Sequence, residues 1–153
     1  MDINRLTEDA VNLLREMIAI PSPSFEEDAV CSHICSWLRA RKIEHQRIGN
    51  NIIAENITNA DKPTLMLCAH IDTVSAGNEY SFDPYCPDYA KAAEVISTKI
   101  AYGELPEAPA AAVNENEIVA GLGSNDDDAS VVSMIAAFRY FISTVMSGTS
   151  YVI

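Results

Sequence analysis

The sequence predicts an α/β protein in which helices flank a buried central strand. From Leu6 to Ile18 the apolar residues recur at three- and four-residue steps, the period of an amphipathic helix. The run from Thr64 to Ala69 contains no charged residue, as expected for a strand covered on both faces. A largely apolar helix is predicted from about Ala129 to Ile142. Helices before and after a strand indicate layers packed on a sheet.

The composition is that of a globular chain with an acidic surface. The 153 residues are 48% hydrophobic and 21% charged, which suits one domain or one piece of a larger domain. Ten basic and 22 acidic side chains give a formal charge of −12, which repels phosphate backbones and anionic lipids. Nucleic acid and membrane are therefore not expected as partners. The first residues lack the pattern of a secretory or transit peptide, so a cytoplasmic protein is expected.

Two helices are predicted before the central strand. The first ends at Pro21, because proline cannot continue a helix. The second is expected to open at Ser24, whose hydroxyl can form a capping box with Glu27, and to end near Lys42. The core-facing residues of this second helix are expected to be Val30, Ile34, Trp37 and Leu38.

The segments that follow are predicted to be short. Ile43 to Ile48 and Asn51 to Glu55 flank the turn dipeptide Gly49-Asn50 and predict a hairpin or two short strands. Residues 84–116, rich in proline and alanine, are interpreted as an insertion that includes a short helix over residues 88–99. Glu117 to Ala120 is a strand candidate. The four cysteines form no C-x-x-C pair and are expected to be reduced core thiols.

His70 and Asp72 stand two positions apart where the predicted strand ends. Residues i and i+2 of a strand share a face, so His70 can offer one ring nitrogen to a cation while Asp72 fixes the proton on the other. The alternative is a solvated strand end, or a histidine satisfied by a neighbouring carboxylate without a metal.

A second acidic cluster follows the turn Gly121-Leu122-Gly123. Such turns can present backbone N–H groups to a pyrophosphate, but Asp126, Asp127 and Asp128 would repel phosphate and favour a cation. The alternative is that these aspartates only cap the following helix. Both clusters come directly after predicted strands, and ligands of open α/β sheets bind outside the carboxyl ends of strands. Together they predict a metal site.

These motifs resemble those of the dinuclear zinc amidohydrolases, which include acetylornithine deacetylase, aminoacylase, succinyl-diaminopimelate desuccinylase and carboxypeptidase-like peptidases. Three segments carry the resemblance. Residues 20–24 (Ile-Pro-Ser-Pro-Ser) resemble the family's opening, residues 69–74 (Ala-His-Ile-Asp-Thr-Val) its first metal motif, and residues 121–127 (Gly-Leu-Gly-Ser-Asn-Asp-Asp) its second. The last is most similar to acetylornithine deacetylase-like members.

The resemblance implies a role for each matched residue. His70 would bind one metal ion, Asp126 would bridge two, and Asp72 would be the catalytic-site residue that orients His70. The peptide bond between Asp126 and Asp127 would be cis. The implied cofactor is two zinc ions, with cobalt or manganese as other metals, and the implied substrate is an N-acyl amino acid or a small peptide. The implied fold is a three-layer sandwich with a mostly parallel central sheet flanked by helices.

The chain also departs from the family pattern. No Asp, Glu, His or Cys follows Asp128, whereas the family takes its general-base glutamate and several metal ligands from that side. We therefore expect residues 1–153 to be the N-terminal part of a truncated catalytic domain, without the smaller lid domain through which the family often forms homodimers. Alone, such a segment should be nearly inactive. The other hypothesis is a non-catalytic acidic α/β domain that binds divalent cations weakly.

Overall fold

The computed structural model describes residues 2–57, 61, 63–78, 80, 82–86, 89–105, 118–144 and 150–152. Within them it has an α/β fold, with four helices and five short strands. The helices are α1 (Ile3–Ile18), α2 (Asp28–Ala40), α3 (Tyr89–Ala101) and α4 (Asp128–Thr144). The strands are β1 (Gln46–Ile48), β2 (Asn51–Ile53), β3 (Glu55–Asn56), β4 (Thr64–Met66) and β5 (Ser150–Val152).

The core lies between helices α1, α2 and α4. Their apolar positions face one another at the helical period that the sequence predicts, and each large aliphatic side chain buried there contributes about 1.5–3 kcal/mol. Leu13 and Ile18 are both buried. Ile18 is the last residue of α1, and Pro21 follows it three positions later. The other buried residues of the three helices include Leu14, Met17, Val30, Ile34, Trp37, Leu38, Val131, Val132, Ile135 and Phe138.

Helix α2 begins three residues later than a cap at Ser24 predicts. Ser24 does not open it, because the Ser24 hydroxyl is bonded to Asp72 instead. Glu27 occupies the N-cap position without a side-chain cap, and its carboxylate accepts a hydrogen bond from the backbone N–H of Phe25 at 2.7 Å. The capping-box prediction is therefore wrong, although the core-facing residues of this helix are confirmed.

The strands form two small sheets. Strands β1 and β2 make the predicted hairpin, antiparallel with Gln46 opposite Ile53. In the second sheet β5 lies in the middle, antiparallel to β3 and parallel to β4. The sheet seen in the described residues is thus mixed and short rather than mostly parallel.

Strand β4 is exposed, which corrects the expectation of a strand covered on both faces. Leu65 is 49% exposed and Met66 is 66% exposed. The strand has only three residues, and all three are exposed. Lack of charge in a sequence run therefore did not distinguish an uncovered apolar strand from a buried one.

The remaining predictions about organisation have mixed outcomes. Within residues 84–116, α3 occupies the position of the predicted short helix, whereas residues 106–117 lie outside the described part. Residues 118–120 form no strand, so the described part of the candidate strand Glu117–Ala120 is not one. All four cysteines are free, but Cys68 is exposed rather than in the core. None of the helices in the described ranges has the length and apolar character needed to cross a membrane.

Candidate metal centre

Three distant chain segments meet at the site. The segment after α1 runs beside the loop that carries His70, with a parallel bridge between Pro23 and Thr73. The backbone N–H of Thr73 donates to the carbonyl of Ser22 at 2.9 Å, and both residues are buried. The glycine turn before α4 forms the third segment, since the Gly123 backbone lies against Thr73.

His70 and Asp126 meet although 56 positions separate them. His70 Nε2 lies 3.0 Å from Asp126 Oδ1. On the other side of the ring, His70 Nδ1 lies 3.0 Å from the Asp72 carbonyl oxygen and 3.3 Å from Asp72 Oδ1. The structure therefore brings together all three residues that the sequence analysis selected.

The contacts of His70 define what its Nε2 atom can bind. A carbonyl oxygen can only accept a hydrogen bond, so Nδ1 carries a proton and donates a hydrogen bond to the Asp72 carbonyl. Nε2 then needs either a second proton or a cation between its lone pair and the Asp126 carboxylate. The hydrogen bond to the Asp72 backbone raises the pKa of His70, burial opposes this less strongly, and the hydrogen bond to Asp126 adds to the rise.

The Asp72 carboxylate is held from two sides. Ser24 Oγ donates a hydrogen bond to Asp72 Oδ2 at 2.6 Å, while Oδ1 faces His70. The hydrogen bond from Ser24, which outweighs the effect of burial, and the neighbouring His70 lower the pKa of Asp72. Asp72 is thus an anion beside the protonated nitrogen, the arrangement that orients metal-binding histidines.

The three consecutive aspartates lie in three different environments. The Asp126 side chain is 85% exposed and faces His70. Asp127 directly precedes α4, and its carbonyl accepts hydrogen bonds from the N–H groups of Ser130 and Val131 at 2.9 and 3.1 Å. The Asp126–Asp127 peptide bond is cis, as the resemblance implied.

Asp128 is the residue whose environment the sequence analysis missed. It is 3% exposed, and among the described residues its Oδ1 atom has no hydrogen-bond partner. Burial, followed by the charge of Asp127, raises the pKa of Asp128 to about 7, although His70 acts in the opposite direction. Nothing in a run of three aspartates distinguishes the one that turns inward.

An open cleft of about 280 Å³ lies over His70 and Asp126. Its described lining contains two carboxylates and no lysine or arginine, so it favours a cation or a neutral group over an anion. Ser24 and Tyr80 also line the cleft, and the sequence analysis did not select either of them as a site residue. The other lining residues are Thr73, Val74, Gly121, Leu122, Gly123, Ser124 and Asn125.

The donors at the site fit part of a zinc coordination shell. Two ligands of one tetrahedral zinc ion lie about 3.3 Å apart, given zinc–donor distances of about 2.0–2.1 Å. The separation of 3.0 Å between His70 Nε2 and Asp126 Oδ1 is close to this value. In the described ranges, no group of three or more His, Cys, Asp or Glu side chains is arranged to hold a metal ion.

The sequence matches no protein-family model, and no curated protein is significantly similar to it.

Proposed function

We propose that this chain is the N-terminal part of the catalytic domain of a zinc-dependent hydrolase, which cleaves the amide bond of an N-acyl amino acid or a small peptide. One observation carries the proposal: an exposed aspartate and a histidine 56 positions apart lie within 3.0 Å of each other. A second carboxylate, that of Asp72, supports the opposite side of the same ring. This is the combination of ligand and orienting group found in zinc sites.

Each residue has a distinct task in this proposal. His70 and Asp126 would hold the metal. Asp72 keeps the proton on Nδ1, so that Nε2 presents its lone pair. A zinc ion held there, or cobalt or manganese in its place, would supply Lewis-acid chemistry for hydrolysis of the scissile amide. Imidazole and carboxylate donors suit these metals better than calcium.

The complete enzyme contains more than this chain in the proposal. A general-base glutamate and further ligands have no counterpart after Asp128, so the chain alone should have little activity. The parallel pair β4–β5 would belong to a larger, mostly parallel sheet between two helical layers. A cytoplasmic location, residues 84–116 as an insertion, and homodimerisation through a lid domain belong to the same proposal.

Zinc titration of the chain by isothermal calorimetry tests the proposal. His70→Ala and Asp126→Ala should each weaken zinc binding at least about tenfold, because each removes one ligand. His33→Ala is the matched control, since His33 Nε2 also lies close to a carboxylate, 2.9 Å from Glu16 Oε2, but His33 is not among the residues that line the cleft over His70. It should bind zinc like the unmodified chain. Equal binding by all four proteins would contradict the proposal.

The alternative is a non-catalytic acidic domain with loose divalent-cation binding. It requires no particular partner for His70, whereas the observed 3.0 Å pairing with Asp126 favours the hydrolase proposal. The two also differ in metal preference, because carboxylates alone favour hard cations such as calcium and magnesium. Calcium binding as tight as zinc binding, and unchanged in His70→Ala, would support the alternative.

A further inference from the structure

Ser24 is bound to the candidate site by a short hydrogen bond across 48 positions. Its hydroxyl donates to Asp72 Oδ2 at 2.6 Å. The sequence analysis assigned the same hydroxyl to a helix cap, but α2 begins only at Asp28. Ser24 also lines the cleft over His70.

The backbone holds Ser24 in this position. The bridge between Pro23 and Thr73, with the hydrogen bond from Thr73 to Ser22, sets the two segments side by side in parallel. Immediately after Ser24 the chain turns: Phe25 has φ +76°, and the N–H of Glu26 donates to the Pro23 carbonyl at 2.8 Å. A non-glycine residue in this conformation is unfavourable by about 1–2 kcal/mol, so the surrounding contacts must maintain the turn.

We propose that Ser24 is a positioning residue, which fixes the Asp72 carboxylate so that His70 presents Nε2 toward Asp126. The inference rests on the proposed function. With Oδ2 bound by Ser24, Asp72 has only Oδ1 and its backbone carbonyl for His70 Nδ1, at 3.3 and 3.0 Å. The carboxylate cannot rotate away without breaking the bond to Ser24. Ser24, Asp72, His70 and Asp126 therefore form one continuous chain of contacts.

Zinc affinity and folding stability, measured on the same variants, test this role. Ser24→Ala should weaken zinc binding about tenfold, the effect typical of removing a group that orients a ligand. Ser24→Thr keeps the hydroxyl and should restore the affinity to within about twofold. Ser36→Ala is the control, since Ser36 also donates from an exposed hydroxyl, but to a carbonyl within α2. It should leave zinc binding unchanged.

The outcomes separate this inference from the proposed function. Urea unfolding with a chelator present should show Ser24→Ala and Ser24→Thr to be fully folded under the titration conditions, so that a difference in zinc affinity between them reports positioning. If His70→Ala loses zinc binding but Ser24→Ala does not, only the role of Ser24 is overturned. If Ser24→Thr binds as weakly as Ser24→Ala, the role is also overturned. If His70→Ala binds like the unmodified chain, the proposed function itself fails.

Discussion

Arg139 Nη1 donates a hydrogen bond to Asp9 Oδ2 at 2.8 Å and so joins the last helix to the first across 130 positions. Arg139 is 9% exposed, whereas the side chain of Arg41, the other arginine that contacts Asp9, is 29% exposed. Asp9 also accepts from Arg41 at 3.4 Å, and the Arg41 guanidinium lies 3.5 Å from the centre of the Trp37 ring. One carboxylate thus connects α1, the C-cap residue of α2, and α4.

Asp9→Asn should destabilise the fold at neutral pH and much less in acid. Burial tends to raise the pKa of Asp9, but the hydrogen bond from Arg139 and the charges of Arg41 and Arg139 together lower it. Because the folded-state pKa lies below the unfolded value of about 4, this stabilisation is complete above that value and is lost as the pH falls through the folded-state pKa. We expect a loss of about 2 kcal/mol at pH 7 by urea unfolding.

Glu16→Gln is the control for this prediction, because Glu16 belongs to a more exposed pair with His33. Its effect should stay within about 0.5 kcal/mol. An Asp9→Asn difference that is as large at pH 3 as at pH 7 would contradict the assignment.

Gly123→Ala should destabilise the turn before α4 by about 3 kcal/mol or more. Gly123 has φ +86°, and an added Cβ would lie 2.5 Å from Asp128 Oδ2 and 2.9 Å from Thr73 Cγ2. Gly49→Ala is the matched control: it has φ +62° but no atom within 4 Å of the added Cβ. At Gly49 only the unfavourable backbone conformation of alanine lowers the stability, by about 1 kcal/mol. Similar losses for the two variants in urea unfolding would be inconsistent with the close contact at Gly123.

Asp128→Asn should stabilise the chelator-treated protein at pH 8 but not at pH 4. The pKa of about 7 for Asp128 lies above its unfolded value, so the folded state prefers the protonated acid. The free-energy cost of burying the ionised carboxylate is absent below about pH 4, grows between pH 4 and 7, and is constant above pH 7. It amounts to at most about 4 kcal/mol. Thermal or urea unfolding at both pH values measures it, and a pH-independent difference would count against the buried carboxylate as its cause.

Met66→Lys should reduce self-association of the chain. Met66 is 66% exposed on β4, next to Leu65 at 49%, and an uncovered apolar strand favours contact between molecules. Size-exclusion chromatography with light scattering should show concentration-dependent association of the unmodified chain and less for the variant. Ser36→Lys adds the same charge at an exposed polar position on α2, and it should leave the association unchanged. A monomeric unmodified chain at all concentrations would refute the prediction.

Local patterns in the sequence predicted the helices and the hairpin well. The apolar period of α1 and α4 and the turn dipeptide Gly49-Asn50 are properties of neighbouring residues, and the structure confirms the elements they indicate. The start of α2 and the covering of β4 were predicted wrongly, because both depend on contacts with distant segments. Ser24 caps no helix because its hydroxyl is bonded to Asp72, and the side chains of β4 are exposed.

By itself, the sequence determined the α/β class, the surface charge and the residue types available for a metal site, because these follow from composition and short spacings. The motifs selected His70, Asp72 and Asp126, and their role as metal-site residues stays a prediction. Only the tertiary structure decided that Ser24 meets Asp72 and that Asp128 turns inward while Asp126 faces His70. The physical reason is that a hydrogen bond across 48 positions leaves no periodic trace in the sequence, and that burial, rather than residue type, separates three identical carboxylates.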